Sequence, residues 1–123
     1  MAAMPVQFQK NVINFFPITA AREMYEPFHK LKYSFAATYY DQMRLGLPIL
    51  VKEKNAKQIC AMHQDDEFGL EVFRGAEEGL KSMGMQFAEV TTYKRGATDF
   101  ASQMQKLASS KCDFVVMGTI IRE

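Results

Sequence analysis

Gln58-Ile-Cys-Ala-Met-His-Gln-Asp-Asp-Glu-Phe-Gly69 and, farther along, Asp113-Phe-Val-Val-Met-Gly-Thr119 decide how this chain is read. Short apolar runs bounded by turn residues are what strands look like when a sheet is covered on both faces, so Gln58 to His63 and Asp113 to Thr119 are read as two such strands. Between them, Gly69 to Met83 sets Phe73, Ala76, Leu80 and Met83 at i, i+3, i+7 and i+10, one face of a helix, with Gly84 where a C′ glycine ends it. Met85 to Tyr93 contains a further strand, Gly96 and Ala97 turn the chain, and Thr98 or Asp99 caps a helix whose face is Phe100, Met104 and Leu107. The order β-α-β-α-β specifies an α/β fold with an open, mainly parallel sheet and helices on both faces. Right-handed crossovers with one reversal give the spatial order 85–93, 58–63, 113–119 and put the Asp65–Gly69 loop at the switch point.

Upstream the pattern is less regular. Val12 to Phe16, closed by Pro17, suits a short strand, and Ala2 to Lys10 suits the end of a helix. Thr19 to Lys32, broken by Pro27, reads as connecting structure, with Tyr33 to Ala37 briefly extended. A helix is expected from about Tyr40 to Lys54 with Met43, Leu47 and Leu50 on one face, kinked or split at Pro48 because proline lacks the amide donor.

At 123 residues the chain holds one independent globular domain at most, and its 48% hydrophobic content excludes a disordered or collagen-like polypeptide. With 15 Lys+Arg against 14 Asp+Glu, the net charge of +1 removes the electrostatic case for a nucleic-acid or anionic-membrane partner. Phe114 to Ile121, the longest apolar stretch, is too short to span a bilayer, and Met1 to Gln9 has neither the basic nor the apolar region of a signal peptide. Cys60 and Cys112 stand alone, without a Cys-x-x-Cys pair or a histidine at ligand spacing, so no metal site is expected. They read first as small buried thiols, with a disulfide or a reactive thiol as the alternative.

Ligands of open α/β sheets bind beyond the carboxyl ends of the strands, which directs attention to Gln64-Asp65-Asp66-Glu67-Phe68-Gly69. Three successive carboxylates there are a solvated helix cap favoured by the macrodipole, a ligand contact, or a metal-dependent catalytic site using Asp65 and Asp66. His63 and His29 have no serine or cysteine placed to form a nucleophile pair, and neither the dinucleotide nor the P-loop glycine motif occurs. No catalytic residue, metal or cofactor is therefore predicted.

The run Gln58–Gly69, the helix ending Lys81-Ser-Met-Gly84, the strand after it, Gly96-Ala-Thr-Asp-Phe100 with Gln103 and Leu107, and Asp113–Gly118 together resemble the second lobe of type I periplasmic solute-binding proteins. The nearest branch is the branched-chain amino-acid-type receptors of ABC transporters. The similarity covers roughly residues 33 to 123, and Asn14-Phe-Phe-Pro-Ile-Thr-Ala-Ala21 resembles a strand end of that family's first lobe. The resemblance implies a non-enzymatic receptor whose two lobes, in the form of a three-layer α/β/α sheet each, close on a small polar solute, an amino acid or related molecule, and present it to a membrane permease. It implies a remnant of the first lobe with connecting segment at 1–36 and the first part of the second lobe at 37–123, so that the fold is incomplete, the chain a fragment and its family location extracytoplasmic. Carried over by position, the ligand contacts are Thr19 and Ala20 in the first-lobe loop, Asp65 and Phe68 after the second lobe's first strand, and Thr119 and Ile120 after its third. Phe68 stands where the family usually has an aromatic residue, often tyrosine, so stacking or apolar contact is expected there without a hydroxyl's hydrogen bond. Thr19 has an alternative reading as an ST-turn residue, and Ile120 as core. A regulatory or sensor module on the same fold is the second functional reading. The uncovered strand Phe114–Ile121 and the apolar Phe15, Phe16 and Ile18 are expected to drive self-association.

Overall fold

The computed structural model of the chain describes residues 2–120. The chain divides into two units, Met1–Tyr39 and Tyr40–Glu123.

In the first unit, Pro5 stands near the start of helix α1, Met4–Gln9, where a missing amide costs least. Strand β1, Asn14–Phe15, pairs in parallel with β2, Lys32–Tyr33, with Asn14 opposite Lys32 and Phe15 opposite Tyr33. The strand expected over Val12–Phe16 is thus two residues long, because Phe16 turns to a positive φ of 47°. The extended segment expected from Tyr33 to Ala37 lies one residue earlier and is equally short. A single 3₁₀ turn, Arg22–Met24, interrupts the connection and buries Met24. Phe15, Phe16 and Ile18 are 67%, 46% and 98% exposed, as expected of residues with little of this unit to cover them.

Helix α2, Tyr39–Lys54, begins on the last residue of the first unit and is not split at Pro48, one of the two outcomes expected there. Pro48 deprives the Arg44 carbonyl of its helical donor, and that carbonyl lies against Gly79, where an ideal Cβ would sit 3.0 Å away. The buried face of α2 is Leu47 and Val51. Leu50, assigned to that face from spacing, is 45% exposed.

The sheet consists of β3 (Ile59–Gln64), β4 (Glu89–Tyr93) and β5 (Phe114–Gly118), all parallel and ordered β4-β3-β5, the order predicted. Every residue of central β3 is buried, which explains its unbroken apolar run. Register puts Ile59, Ala61 and His63 on one face with Phe114, Val116 and Gly118; Cys60, Met62 and Gln64 share the other with Glu89, Thr91 and Tyr93. Helix α3, Glu67–Lys81, covers the first face, stacking Phe73 on His63 with ring centroids 5.0 Å apart. Helix α4, Ala101–Ser109, covers the second, where Leu107 packs with Cys60, Met62 and Tyr93, and Phe100 meets Tyr93 edge-on at 5.1 Å. The result is the predicted α/β/α layering. Val115 and Met117 of β5 remain 38% and 55% exposed. Ile121, which the sequence reading included in this apolar stretch, lies outside the described residues.

Two boundaries shift for local reasons. Helix α3 ends at Lys81, two residues before the expected end, because Met83 and Gly84 donate to the Leu80 and Lys81 carbonyls in a tighter turn that Gly84 completes at φ +70°. Helix α4 starts after Phe100 with no side-chain cap on that residue, while Asp99 Oδ1 accepts from the Ala101 amide at 2.9 Å. Met104, placed on its core face by spacing, is 56% exposed.

Cys60 and Cys112 form a disulfide with Cα atoms 5.8 Å apart, which corrects the reading of two free buried thiols. Periodicity could not see it. The pairing arises because β5 lies beside β3 and the turn entering β5 brings Cys112 over the strand face that carries Cys60.

Candidate functional site

The carboxyl ends of β3 and β5 leave the sheet side by side, since His63 pairs with Gly118. Four of the six sequence-assigned contact residues therefore gather at one edge: Asp65 and Phe68 just past β3, Thr119 and Ile120 just past β5. Phe68, Thr119 and Ile120 are half-buried and Asp65 is exposed. A strand-end edge with partly open aromatic, hydroxyl and aliphatic side chains can hold a small solute by stacking and by one or two hydrogen bonds.

The loop from β3 to α3 is set by its own backbone. The Asp65 amide donates to the Tyr93 carbonyl at 2.8 Å, extending the β3–β4 ladder by one bond. Asp66 is the α3 N-cap: its Oδ1 accepts from the Gly69 amide at 3.1 Å, and its Oδ2 accepts from Gln64 Nε2. Of the three carboxylates, Asp66 is therefore the structural one, as the helix-cap reading proposed. Gly69 is required sterically, because a Cβ there would come within 2.0 Å of the Gln64 carbonyl oxygen. Phe68 precedes this glycine in the first turn of α3 and is half-buried. Among the described residues no group of three or more His, Cys, Asp or Glu gathers as metal ligands would.

Sequence reasoning missed two residues of this edge. Lys94 Nζ, just past β4, lies 3.9 Å from Asp65 Oδ2, and both side chains are more than half exposed. Gln64 is fully buried, and its Oε1 has no hydrogen-bond partner among the described residues. A basic residue following a strand assigned from its apolar pattern would have flagged Lys94. Nothing in the sequence separates Gln64 from any other strand-terminal polar residue.

Thr19 and Ala20 belong to the other unit. Thr19 Oγ1 accepts from the Ala21 amide at 3.2 Å, the ST-turn geometry given as its alternative reading. Ala20 is buried, and its carbonyl accepts from the Tyr39 amide at 3.0 Å.

A family model described as "Periplasmic binding protein" matches residues 1–122. No curated protein matches the chain. Among solved structures, a substrate-binding periplasmic protein from Ralstonia solanacearum aligns at 21% identity and a TM-score of 0.82, covering 96% of this chain and 33% of that one. An amino acid ABC transporter substrate-binding protein from Pseudomonas fluorescens Pf-5 aligns at 14% identity and 0.83, covering 96% and 32%. A solute-binding protein of an ABC transporter from Rhodopseudomonas palustris HaA2, in complex with p-hydroxybenzoic acid, aligns at 15% and 0.80, covering 94% and 31%. The chain thus spans about a third of the length of these structures, and at these identities they establish its fold.

Proposed function

The chain belongs to the periplasmic binding protein family, and from that premise we propose that it supplies part of the solute receptor of an ABC transporter. In this reading residues 1–36 come from the first lobe and 37–123 from the second. An amino acid or a related small organic solute is held between the lobes and delivered to a membrane permease. The protein binds and releases this solute without transforming it.

The observation that carries the reading is the convergence of Phe68, Thr119, Ile120 and Asp65 at the carboxyl edge of β3 and β5, where open α/β sheets bind ligands. Phe68 offers a ring face without a hydroxyl, which suits an apolar or aromatic solute body, and Thr119 offers a donor and acceptor for its polar end. Similar structures are named for an amino acid transporter in one case and hold p-hydroxybenzoic acid in another, so both solute classes belong in the first screen. The Cys60–Cys112 disulfide supports an extracytoplasmic location, because such bonds persist in oxidising compartments. Thr19 and Ala20 are assigned as ligand contacts of the first lobe.

The test is a thermal-shift screen of the receptor with amino acids and hydroxybenzoates, followed by calorimetric titration of each hit. A solute at a hundred times its Kd adds about 2.7 kcal/mol of stability. Phe68→Ala should then weaken binding roughly tenfold, equal to about 1.4 kcal/mol, while the ligand-free melting temperature barely moves. A drop of ten degrees or so without ligand, on the order of 2 kcal/mol for a domain this size, would make Phe68 a core residue and overturn the site.

A further inference from the structure

The disulfide lies at a place where it can do more than fasten two neighbours. Cys60 is fully buried in the middle layer, packed with Met62, Tyr93 and Leu107, whereas Cys112 sits half-buried in the turn between α4 and β5. The two are 52 positions apart, and the loop closed by their bond contains all of α3, β4 and α4. We propose that Cys60 and Cys112 are a redox latch, which makes the stability of residues 40–120 depend on oxidation of this pair and seals the bond once α4 has closed over β3.

The argument begins with the unfolded chain. Tying the ends of so long a loop removes much of its conformational freedom before folding starts, which in the chain-entropy account multiplies the folding equilibrium constant by about a thousand. The closed fold then protects the bond. A thiolate reductant must reach one of the two sulfurs; Cys60 has none of its surface open and Cys112 is partly covered by the same cluster. Opening of α4 is the route by which a reductant gains access.

Chemically the oxidant is a disulfide, either that of a thiol–disulfide oxidoreductase or a small-molecule one. The Cys112 thiolate attacks it, expelling one thiolate and forming a mixed disulfide. The Cys60 thiolate then attacks the Cys112 sulfur and expels the second. Two electrons and two protons pass from the cysteine pair to the oxidant, which leaves as two thiols. The location proposed above determines where this occurs; the redox dependence itself does not rest on that reading, and its test contains no solute.

Urea unfolding is measured on the oxidised protein, on the same protein reduced with a dithiol and confirmed by alkylation to carry two free thiols, and on the Cys60→Ala/Cys112→Ala variant. The folding equilibrium constant should fall by about a thousandfold on reduction, and the variant should match the reduced protein and ignore the reductant. Equal midpoints for the oxidised and reduced protein overturn the latch, as do two free thiols in protein prepared under oxidising conditions. The comparison of oxidised with reduced protein stands if the variant fails to fold. The reduction rate should also rise steeply in mild denaturant. A rate already fast and flat in native buffer would show that the bond is open to solvent and refute the seal.

Discussion

The two ends of the three-stranded sheet are built from different kinds of contact. At the amino end, β3 and β5 are fastened across the strands: the Asp113 carboxylate accepts from the Lys57 and Gln58 amides at 2.8 and 2.9 Å, the Asp113 amide donates to the Gln58 carbonyl at 3.0 Å, and Cys112 is bonded to Cys60. At the carboxyl end the contacts of the loop between β3 and α3 are of another kind. Asp66 caps its own helix, and Asp65 meets Lys94 across an exposed 3.9 Å gap. The difference teaches a division of labour. The amino end resists separation of the strands, and the carboxyl end is the one we propose meets a ligand.

The sharpest way to break this comparison is at Asp113. Its Ala variant leaves two strand-start amides without their ionised acceptor, and charge-assisted bonds are the strong ones. We expect a loss of about 2–3 kcal/mol by urea unfolding, with solute affinity unchanged at saturating folded fraction. A loss below about 0.5 kcal/mol, the ordinary range for a surface substitution, would show that the amino end is not the fastened one. Asp113→Asn should recover part of the loss, because one acceptor oxygen survives.

At the other end, Asp66→Ala removes the α3 N-cap and should cost about 1 kcal/mol. The effect is local, so Asp66→Ser, which retains a capping oxygen, should restore most of it. If Asp66→Ala instead costs as much as Asp113→Ala, the carboxyl end carries cross-strand load and the contrast between the ends disappears.

Much of this arrangement was legible in the sequence, and the parts that were not share a cause. Gln58–His63 reads as a strand because burial on both faces keeps the run largely apolar, Asp113–Thr119 reads as one because its core is apolar even though Val115 and Met117 are open, and glycine and acidic residues mark where each loop begins. The strand order followed from the hand of the crossovers. Leu50 and Met104 were misassigned because spacing says which residues share a helix face, whereas the neighbouring element decides how wide the covered stripe is. Gly79 illustrates the reverse, since its value lies in the Arg44 carbonyl that approaches it. The disulfide, the Asp113 clamp and the Lys94 contact are all pairings across long sequence separations, and each depends on a register that no local pattern encodes. The carboxyl-edge residues Asp65, Phe68, Thr119 and Ile120 were assigned through a family resemblance laid on a strand pattern, and the structure puts their positions at the carboxyl ends of neighbouring strands.

Lys94 gives the smallest effect and for that reason the most discriminating one. Its side chain is 91% exposed and its Nζ lies 3.9 Å from Asp65 Oδ2, so water and salt screen the pair and two exposed side chains lose entropy in forming it. Lys94→Ala should therefore change stability by less than about 0.5 kcal/mol, and raising the ionic strength should remove even that difference. Solute binding is the more sensitive readout, because the variant alters the charge beside Asp65 at the edge where Phe68 and Thr119 gather. An anionic solute should bind the variant more weakly in low salt and equally in high salt, through loss of long-range attraction; a zwitterion should show little change in either. A stability loss approaching that of Asp113→Ala would mean that Lys94 fastens β4 to β3, and the carboxyl end would then be a second structural seam.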